Sequence, residues 1–306
     1  MRVLLTGGSG FIGRHLSEIL RNRGDDVTVL TRNAARTGAG MPASRVAVWD
    51  PLAGPAPVDL ISSADAVVNL LGESIASGRW TAGRKKRIRE SRILGTRNLV
   101  EGISRSPRRP KVLVSGSAIG FYGPRGDEEI DETSAAGGDF LADLSREWEA
   151  EARRAESLGV RVVLLRTGIV LGENGGALRS MLTPFKLGLG GPVGAGSQWM
   201  SWIHLDDLCG LIVHAIQEPS VSGPLNGTAP FPVRNREFAK TLGAVLNRPA
   251  FLPTPVFALR ILLGEMAGPL LLTGQKVLPT VAQRTGYRFR HPALEDALRN
   301  ILKREG

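Results

Sequence analysis

The stretch of sequence that decides the fold is residues 6–13, which read Thr6-Gly7-Gly8-Ser9-Gly10-Phe11-Ile12-Gly13. An apolar run at 2–5 precedes it, and apolar residues recur at helical spacing after it, as far as Gly24. Residues 27–30 form the next apolar run, so that strand, glycine turn, helix and strand follow one another within about 30 residues, the length of a parallel crossover. This order predicts a β-α-β unit that opens a Rossmann-type α/β fold.

The glycines of this stretch have the G-x-x-G-x-x-G spacing of a phosphate-binding loop. Gly7 permits a tight turn, Gly10 lets the backbone approach a pyrophosphate, and Gly13 lets the helix lie close to the strand. The amino terminus of the helix adds N–H groups and a partial positive charge. We therefore expect a dinucleotide to bind to Thr6, Gly7, Gly8, Ser9, Gly10, Phe11, Ile12 and Gly13.

The residue that selects between NAD(H) and NADP(H) in this fold follows the second strand. NAD-binding members carry an acidic residue there, which accepts hydrogen bonds from the adenosine ribose. This chain has Thr31-Arg32-Asn33 instead, and the forked donors of Arg32 suit a 2′-phosphate. The sequence predicts NADP(H) in preference to NAD(H). The alternative is an Arg32 that is merely exposed to solvent.

Further strands and helices alternate along the chain. The buried strands are predicted at 46–48, 66–71, 111–115 and 161–165, and amphipathic helices at 84–104 and 141–158. Such alternation is typical of a doubly wound parallel sheet. Glycines and prolines interrupt the chain after residue 171, and a Leu-, Pro- and Arg-rich segment with helices, including 294–303, follows residue 231. We predict a dinucleotide-binding domain at 1–171, to which 201–230 returns, and a smaller C-terminal substrate lobe formed by 172–200 and 231–306.

Composition and charge restrict the classes of partner. The net charge of +10 reflects 39 Lys and Arg against 29 Asp and Glu, with the densest run at 84–92. This run has no interleaved aromatic residues and no nucleic-acid-binding motif, so we interpret it as a solvated helix face. The alternatives are attraction of an anionic ligand and, after that, of nucleic acid. The single cysteine, Cys209, allows no intrachain disulfide and no cysteine-rich metal site. With no signal peptide and no apolar stretch long enough to span a bilayer, we expect a cytoplasmic protein that binds neither membrane, nucleic acid nor metal.

Several further strings of residues carry a resemblance to a known family. They are Asn69-Leu70-Leu71-Gly72-Glu73, Arg79-Trp80-Thr81, Ser91-Arg92-Ile93, Ser115-Gly116-Ser117-Ala118, Phe121-Tyr122-Gly123, Arg166-Thr167-Gly168, Leu187-Gly188-Leu189-Gly190-Gly191-Pro192 and Ser201-Trp202-Ile203-His204. Together with residues 6–13, they make the chain resemble an extended short-chain dehydrogenase/reductase over nearly its whole length. Within that superfamily it is similar to the atypical group labelled "epimerase family protein", described as sugar-nucleotide epimerases or, in bacteria, as cell-division-inhibitor-like proteins.

The resemblance implies a set of site residues. Cofactor contacts are implied for Leu70, Leu71, Gly72, Glu73, Ser115, Arg166, Thr167 and Gly168. Ser117 lies in the segment of the superfamily's catalytic Ser/Thr, and Trp202 and His204 lie where extended members close the substrate pocket. The family label implies a small-molecule substrate of the sugar-nucleotide class.

The Tyr and Lys that the superfamily uses for hydride chemistry are missing from this sequence. The Lys should follow the Tyr by four residues, but Gly126 follows Tyr122 and His291 follows Tyr287 at that spacing. Phe140 and Leu144 stand near the vacant positions.

Two classes of function remain. One is an NADP-dependent oxidoreductase or epimerase with another acid/base, for which Tyr122 beside Ser117 is the first candidate and Glu73 the second. The other is an NADP(H)-binding regulatory or partner-binding protein without turnover.

Overall fold

The computed structural model describes residues 1–34, 37 and 41–303, and its centre is a seven-stranded parallel sheet. The sheet contains β1 (Arg2–Thr6), β2 (Asp26–Thr31), β3 (Arg45–Val48), β4 (Ala66–Asn69), β5 (Val112–Ala118), β7 (Arg161–Thr167) and β11 (Gly223–Gly227). Their order is β11-β7-β5-β4-β1-β2-β3, and every pairing in it is parallel. The direction of winding reverses between β1 and β4, and ligands of such folds bind at that point, beyond the carboxyl ends of the strands.

The strand boundaries differ from the predicted ones for local reasons. The strand predicted at 66–71 ends at Asn69, because the chain turns away through Gly72, whose φ of +158° lies in a region that favours glycine. The strand predicted at 111–115 continues to Ala118 because its last three residues still pair with β7. With these boundaries, Asn69, Ser117 and Thr167 lie at one edge of the sheet.

Helices cover both faces of the sheet. The helices Phe11–Asn22 and Leu205–Gln217 bury their apolar side chains against one face, where Leu16, Leu208 and Ile212 join the core. The helices Val58–Ser63, Ala82–Arg105 and Phe140–Arg153 lie on the other face. The doubly wound α/β architecture predicted from the sequence is confirmed.

The remaining elements form a smaller lobe beside the carboxyl edge of the sheet. It contains the helices Gly176–Lys186, Asn235–Leu246, Val256–Leu263, Thr280–Arg284 and Leu294–Ile301, and the short strands β8 (Ile169–Gly172), β9 (Trp199–Met200), β10 (Trp202–His204) and β12 (Val233–Arg234). Strand β6 (Glu129–Ile130) pairs with β13 (Lys276–Val277) and ties this lobe to the loop after β5. A separate apolar cluster, which includes Leu178, Trp202 and Phe238, forms its core. None of the helices among the described residues is long and apolar enough to cross a membrane.

Candidate functional site

The glycine loop at residues 7–13 has a shape that side chains would prevent. Gly7 has a φ of +69°, and a Cβ there would lie 2.3 Å from the carbonyl oxygen of Leu70. A Cβ on Gly13 would lie 2.4 Å from the carbonyl oxygen of Gly7, which in turn accepts a hydrogen bond from the amide of Gly10 at 3.0 Å. The helix then begins at Phe11 with no side-chain cap. The loop therefore has the close backbone packing and the open helix terminus that a pyrophosphate requires.

Buried polar side chains join the strand ends behind this loop. The hydroxyl of Thr6 donates to Asn69 Oδ1 at 2.8 Å, and Asn69 Nδ2 donates to the hydroxyls of Thr96 and Ser115 at 2.9 and 3.2 Å. All of them are buried. Ser115, a predicted cofactor contact, therefore has its hydroxyl in this network and does not line the cavity described next.

A cavity of about 310 Å³ lies beyond the carboxyl ends of β4, β5 and β7. Ile12 and Leu70 to Gly72 line the side next to the glycine loop. The smaller lobe contributes Pro269, Leu270, Thr273, Gly274 and Gln275. The other lining residues are Ile75, Arg92, Gly116, Ser117, Ala118, Ile119, Gly120, Asp139, Leu141, Leu144, Ser145, Trp148, Thr167, Gly168, Ile169, Trp199 and Ser201. A more open depression, of about 540 Å³, lies around Gly159 and Gly223 at the amino ends of β7 and β11, the edge of the sheet opposite to the site expected for this fold.

The helix Phe140–Arg153 presents a largely apolar face to the cavity. Leu141 and Ser145 are four residues apart and both line it, together with Leu144 and Trp148. Phe140, by contrast, packs edge-on against Trp80. Two i, i+4 pairs thus line the cavity, Leu141 with Ser145 and Leu144 with Trp148, and none of these residues is a Tyr or a Lys.

Ser117 is the predicted catalytic residue that the structure does bring to the cavity. Its hydroxyl donates to Glu149 Oε1 at 2.7 Å. Arg166 holds the same carboxylate with two hydrogen bonds, at 2.8 and 2.9 Å, and both side chains are almost completely buried. A hydroxyl that donates its proton to a buried carboxylate keeps its lone pairs, so Ser117 can accept a hydrogen bond from a ligand in the cavity.

Tyr122, the first acid/base candidate, does not reach the cavity. The residue is completely buried; its hydroxyl donates to Asn226 Oδ1 at 2.7 Å and accepts from Arg166 Nη1 at 3.0 Å. Burial raises the pKa of Tyr122 to about 12. The expected catalytic role is corrected on these grounds, because the phenol is a structural partner of Arg166 and Asn226.

Two further predicted site residues, Arg166 and Glu73, are engaged elsewhere. The guanidinium of Arg166 donates hydrogen bonds to the Glu149 carboxylate, the Tyr122 hydroxyl and the Glu132 carbonyl. It also stacks on Phe121, with 3.5 Å between Cζ and the ring centre. Glu73 pairs with Arg84 at 2.6 Å and with Arg87 at 3.7 Å. Neither lines the cavity, whereas their predicted companions Thr167, Gly168 and Leu70 to Gly72 do.

The predicted substrate-pocket residues, Trp202 and His204, also lie outside the cavity. Trp202 is completely buried in the core of the smaller lobe, because β10 pairs with β8, and its indole N–H donates to the carbonyl of Phe231 at 3.1 Å. His204 caps the helix Leu205–Gln217 through Nδ1, which accepts from the amide of Asp206 at 3.0 Å. The neighbouring Trp199 and Ser201 line the cavity instead.

One group of possible metal ligands occurs among the described residues, with ligand atoms of His204, Asp206 and His291 within 4.8 Å of one another. Asp206 also bonds His15, and the ring centres of His204 and His291 lie 4.0 Å apart. The buried Nε2 of His204 has no hydrogen-bond partner among the described residues. Burial lowers the pKa of His204 to about 4, so its imidazole is neutral at physiological pH. Through Nδ1, His204 belongs to the cap of this helix.

Arg32 directly follows β2. It is exposed, and no ion pair joins it to any other described residue. The segment that follows includes residues 35, 36 and 38–40, which lie outside the described ranges. The guanidinium of Arg32 is thus accessible to a ligand.

Comparison with known proteins identifies relatives of nearly the whole chain. Residues 3–226 match the model of the NAD dependent epimerase/dehydratase family, and residues 254–301 match a domain of unknown function, DUF1731. An epimerase family protein SDR39U1 homolog from Arabidopsis thaliana, named chloroplastic, is 45% identical over 99% of this chain and 87% of its own length. The SDR39U1 protein of Homo sapiens is 42% identical over 99% of this chain and 100% of its own length. The crystal structure of human SDR39U1 (isoform 2) with NADPH superposes with a TM-score of 0.90 at 40% identity, covering 100% of both chains.

Proposed function

Since the chain belongs to the NAD dependent epimerase/dehydratase family, we propose that it is an NADP(H)-dependent oxidoreductase that acts on a small carbonyl compound or alcohol. The observation that supports the proposal is that the cavity adjoins the glycine loop. Ile12 of the loop lines the cavity, and so does Leu70, whose carbonyl oxygen lies next to Gly7. A dinucleotide whose pyrophosphate binds at residues 7–13 would extend its nicotinamide into that cavity.

NADP(H) as the cofactor is supported by two independent features. Arg32 is exposed where a 2′-phosphate would lie, and this position holds no acidic residue to accept hydrogen bonds from a free ribose. The human relative, which is 40% identical in its solved structure, was crystallised with NADPH. The glycine loop at residues 7–13 fits the pyrophosphate of this cofactor, because Gly7 and Gly13 have no side chain that would separate the loop from the neighbouring backbone.

The cavity residues suit oxidation and reduction better than acid/base chemistry. When bound, the nicotinamide supplies or accepts a hydride. Ser117 would accept a hydrogen bond from the hydroxyl of an alcohol, while Leu141 and Trp148 exclude water from one side. No Tyr or Lys lines the cavity among the described residues, so we assign the proton transfer to water and expect slow turnover.

The absence of a phenol from the cavity also favours a second candidate function. A protein that binds NADP(H) without turnover, as a regulator or partner-binding module, would need the glycine loop but no general acid. In that case Arg166 and Glu149 would serve stability alone.

The test is NADPH oxidation, followed by absorbance, with a panel of aldehydes, ketones and oxo acids, beside a direct titration of NADPH. We expect NADPH to bind and at least one compound to be reduced at a rate that depends on its concentration. Binding of NADPH with no oxidation by any member of the panel would contradict the oxidoreductase proposal and favour the non-catalytic function.

A further inference from the structure

Arg92 is a cationic side chain of the cavity wall that no described carboxylate pairs with. It lies in the helix Ala82–Arg105 and is partly buried. Its Nη1 donates to the carbonyl oxygens of Glu73 and Ile88, at 3.0 and 3.2 Å. Arg92 lines the cavity, and its Nε and Nη2 have no hydrogen-bond partner in the part of the chain that the structure describes.

The rest of the basic run differs from Arg92 in this respect. The other cations of residues 84–89 all pair with carboxylates: Arg84 and Arg87 with Glu73, Lys85 with Glu265, Lys86 with Glu90, and Arg89 with Glu147. Lys86, Arg87 and Arg89 are exposed, whereas Arg84 and Lys85 are partly buried. The interpretation of the run as a solvated face therefore describes Lys86, Arg87 and Arg89, and not Arg92, which lines the cavity.

The guanidinium of Arg92 is held in place from two sides. Its Cζ lies 5.1 Å from the centre of the Trp148 ring, and a Cβ on Gly72 would come within 2.9 Å of it. Burial lowers the pKa of Arg92 to about 10, so the side chain keeps its charge at neutral pH. A fixed, partly desolvated guanidinium with a free N–H edge is a ready partner for an anion.

The surrounding wall indicates which kind of anion fits. Leu141, Leu144 and Leu270 line the same cavity. Its one carboxylate among the described residues, Asp139, already caps a helix by accepting from the amide of Ala142 at 2.9 Å. A carboxylate matches the guanidinium fork and needs few other donors, whereas a phosphate would leave oxygens against leucine side chains.

We propose that Arg92 binds the carboxylate of a small organic acid whose apolar body packs on Leu141, Leu144 and Leu270. The proposal deepens the proposed function and rests on it, because it makes an oxo or hydroxy acid with an apolar chain the substrate class. The acid binds beside the nicotinamide, with its carboxylate on the Nε and Nη2 edge of Arg92.

The test measures binding, so that it does not depend on turnover. Hexanoate and hexanamide, which differ in charge and little in shape, are titrated against the protein saturated with NADP⁺, using calorimetry. We expect hexanoate to bind at least about tenfold more tightly than hexanamide, and R92Q to abolish that preference. R92K, which keeps the charge and loses the fork, should retain part of it. R89Q is the matched control, because Arg89 lies on the same helix and pairs outside the cavity, and it should behave as the unmodified protein.

Two results would overturn the assignment. One is equal binding of hexanoate and hexanamide. The other is an R92Q variant that loses NADPH affinity as strongly as hexanoate affinity, which would make Arg92 an anchor of the cofactor. A protein that binds hexanoate through Arg92 but oxidises NADPH with no carbonyl compound would support the acid site and contradict the oxidoreductase proposal alone.

Discussion

The phosphate end and the nicotinamide end of the candidate site are built on different principles. At the phosphate end, Gly7, Gly10 and Gly13 act through the side chains they lack, within seven consecutive residues. At the nicotinamide end, the cavity is formed by side chains from segments as distant in sequence as Arg92, Trp148 and Gln275. The first end therefore follows from a local sequence pattern, whereas the second depends on how the sheet and the smaller lobe pack together.

The largest effect is expected from Gly7→Ala. The added Cβ meets the backbone of Leu70 at a positive φ, so the loop must shift, which we expect to cost about 4 kcal/mol of cofactor binding, roughly 1,000-fold in affinity. The measurement is a fluorescence titration with NADPH. Gly24→Ala is the control, since Gly24 has a φ of +80° with open space around it and should lose only about 1 kcal/mol of stability. If both variants bind NADPH normally, the phosphate end is not where we assign it.

The cap at His204 gives the stability of the helix Leu205–Gln217 a dependence on pH. Because the pKa of His204 falls from 6.5 to about 4 on folding, the unfolded chain binds more protons between these values, and stability falls as the pH drops from 6.5 to 4. The loss from this residue reaches about 3 kcal/mol. His204→Asn keeps an acceptor for the amide of Asp206 and removes the titration, so its unfolding free energy should depend less on pH in this range. Identical pH profiles for the two proteins would show that His204 does not cause the loss of stability in this range.

Arg32→Asp tests the adenosine side of the phosphate end. The change removes a partner of the 2′-phosphate and adds a repelling charge, so we expect NADPH affinity to fall about 30-fold and the preference for NADPH over NADH to reverse. Arg21→Asp makes the same change of charge on an exposed residue of the first helix and should leave the preference intact. Parallel titrations with the two cofactors measure it. An unchanged preference in Arg32→Asp would leave Arg32 as a solvent-exposed side chain.

The smallest effect is expected from Tyr122→Phe. The hydroxyl bonds Asn226 and Arg166 inside the protein, so its loss should cost about 1.5 kcal/mol of stability. NADPH affinity, and turnover with any substrate found, should stay within about twofold. Thermal denaturation and steady-state kinetics on the same preparation give both values. A fall in turnover of about 100-fold at unchanged stability would restore Tyr122 as a general acid.

The sequence predicted those features that depend on neighbours along the chain. The β-α-β unit, the glycine loop and the alternation of strands and helices follow from periodicity and from glycine spacing, and the structure confirms the parallel sheet that they imply. Leu70 to Gly72 follow β4 and Ser117 lies near the end of β5, and both reach the cavity because these strands end at the same edge of the sheet.

The misplaced residues depend on packing that the sequence does not encode locally. Tyr122 and Ser117 are close in sequence, but the short helix Ile119–Tyr122 turns the phenol into the interior, toward Asn226. Trp202 and Trp199 are both aromatic, and only the pairing of β10 with β8 buries the first and leaves the second at the cavity. Arg92 lay in a recognised string, Ser91-Arg92-Ile93, but its distinction from the other cations of the run appears only once their carboxylate partners are in place.

The most direct test of the central claim is a crystal structure of this protein with NADPH. We expect the 2′-phosphate to lie within hydrogen-bond distance of Arg32 and the pyrophosphate to bind to the amides of residues 7–13. The nicotinamide should lie in the cavity beside Ser117 and Leu141. A nicotinamide that lies outside this cavity, or a 2′-phosphate that Arg32 does not contact, would contradict the central claim.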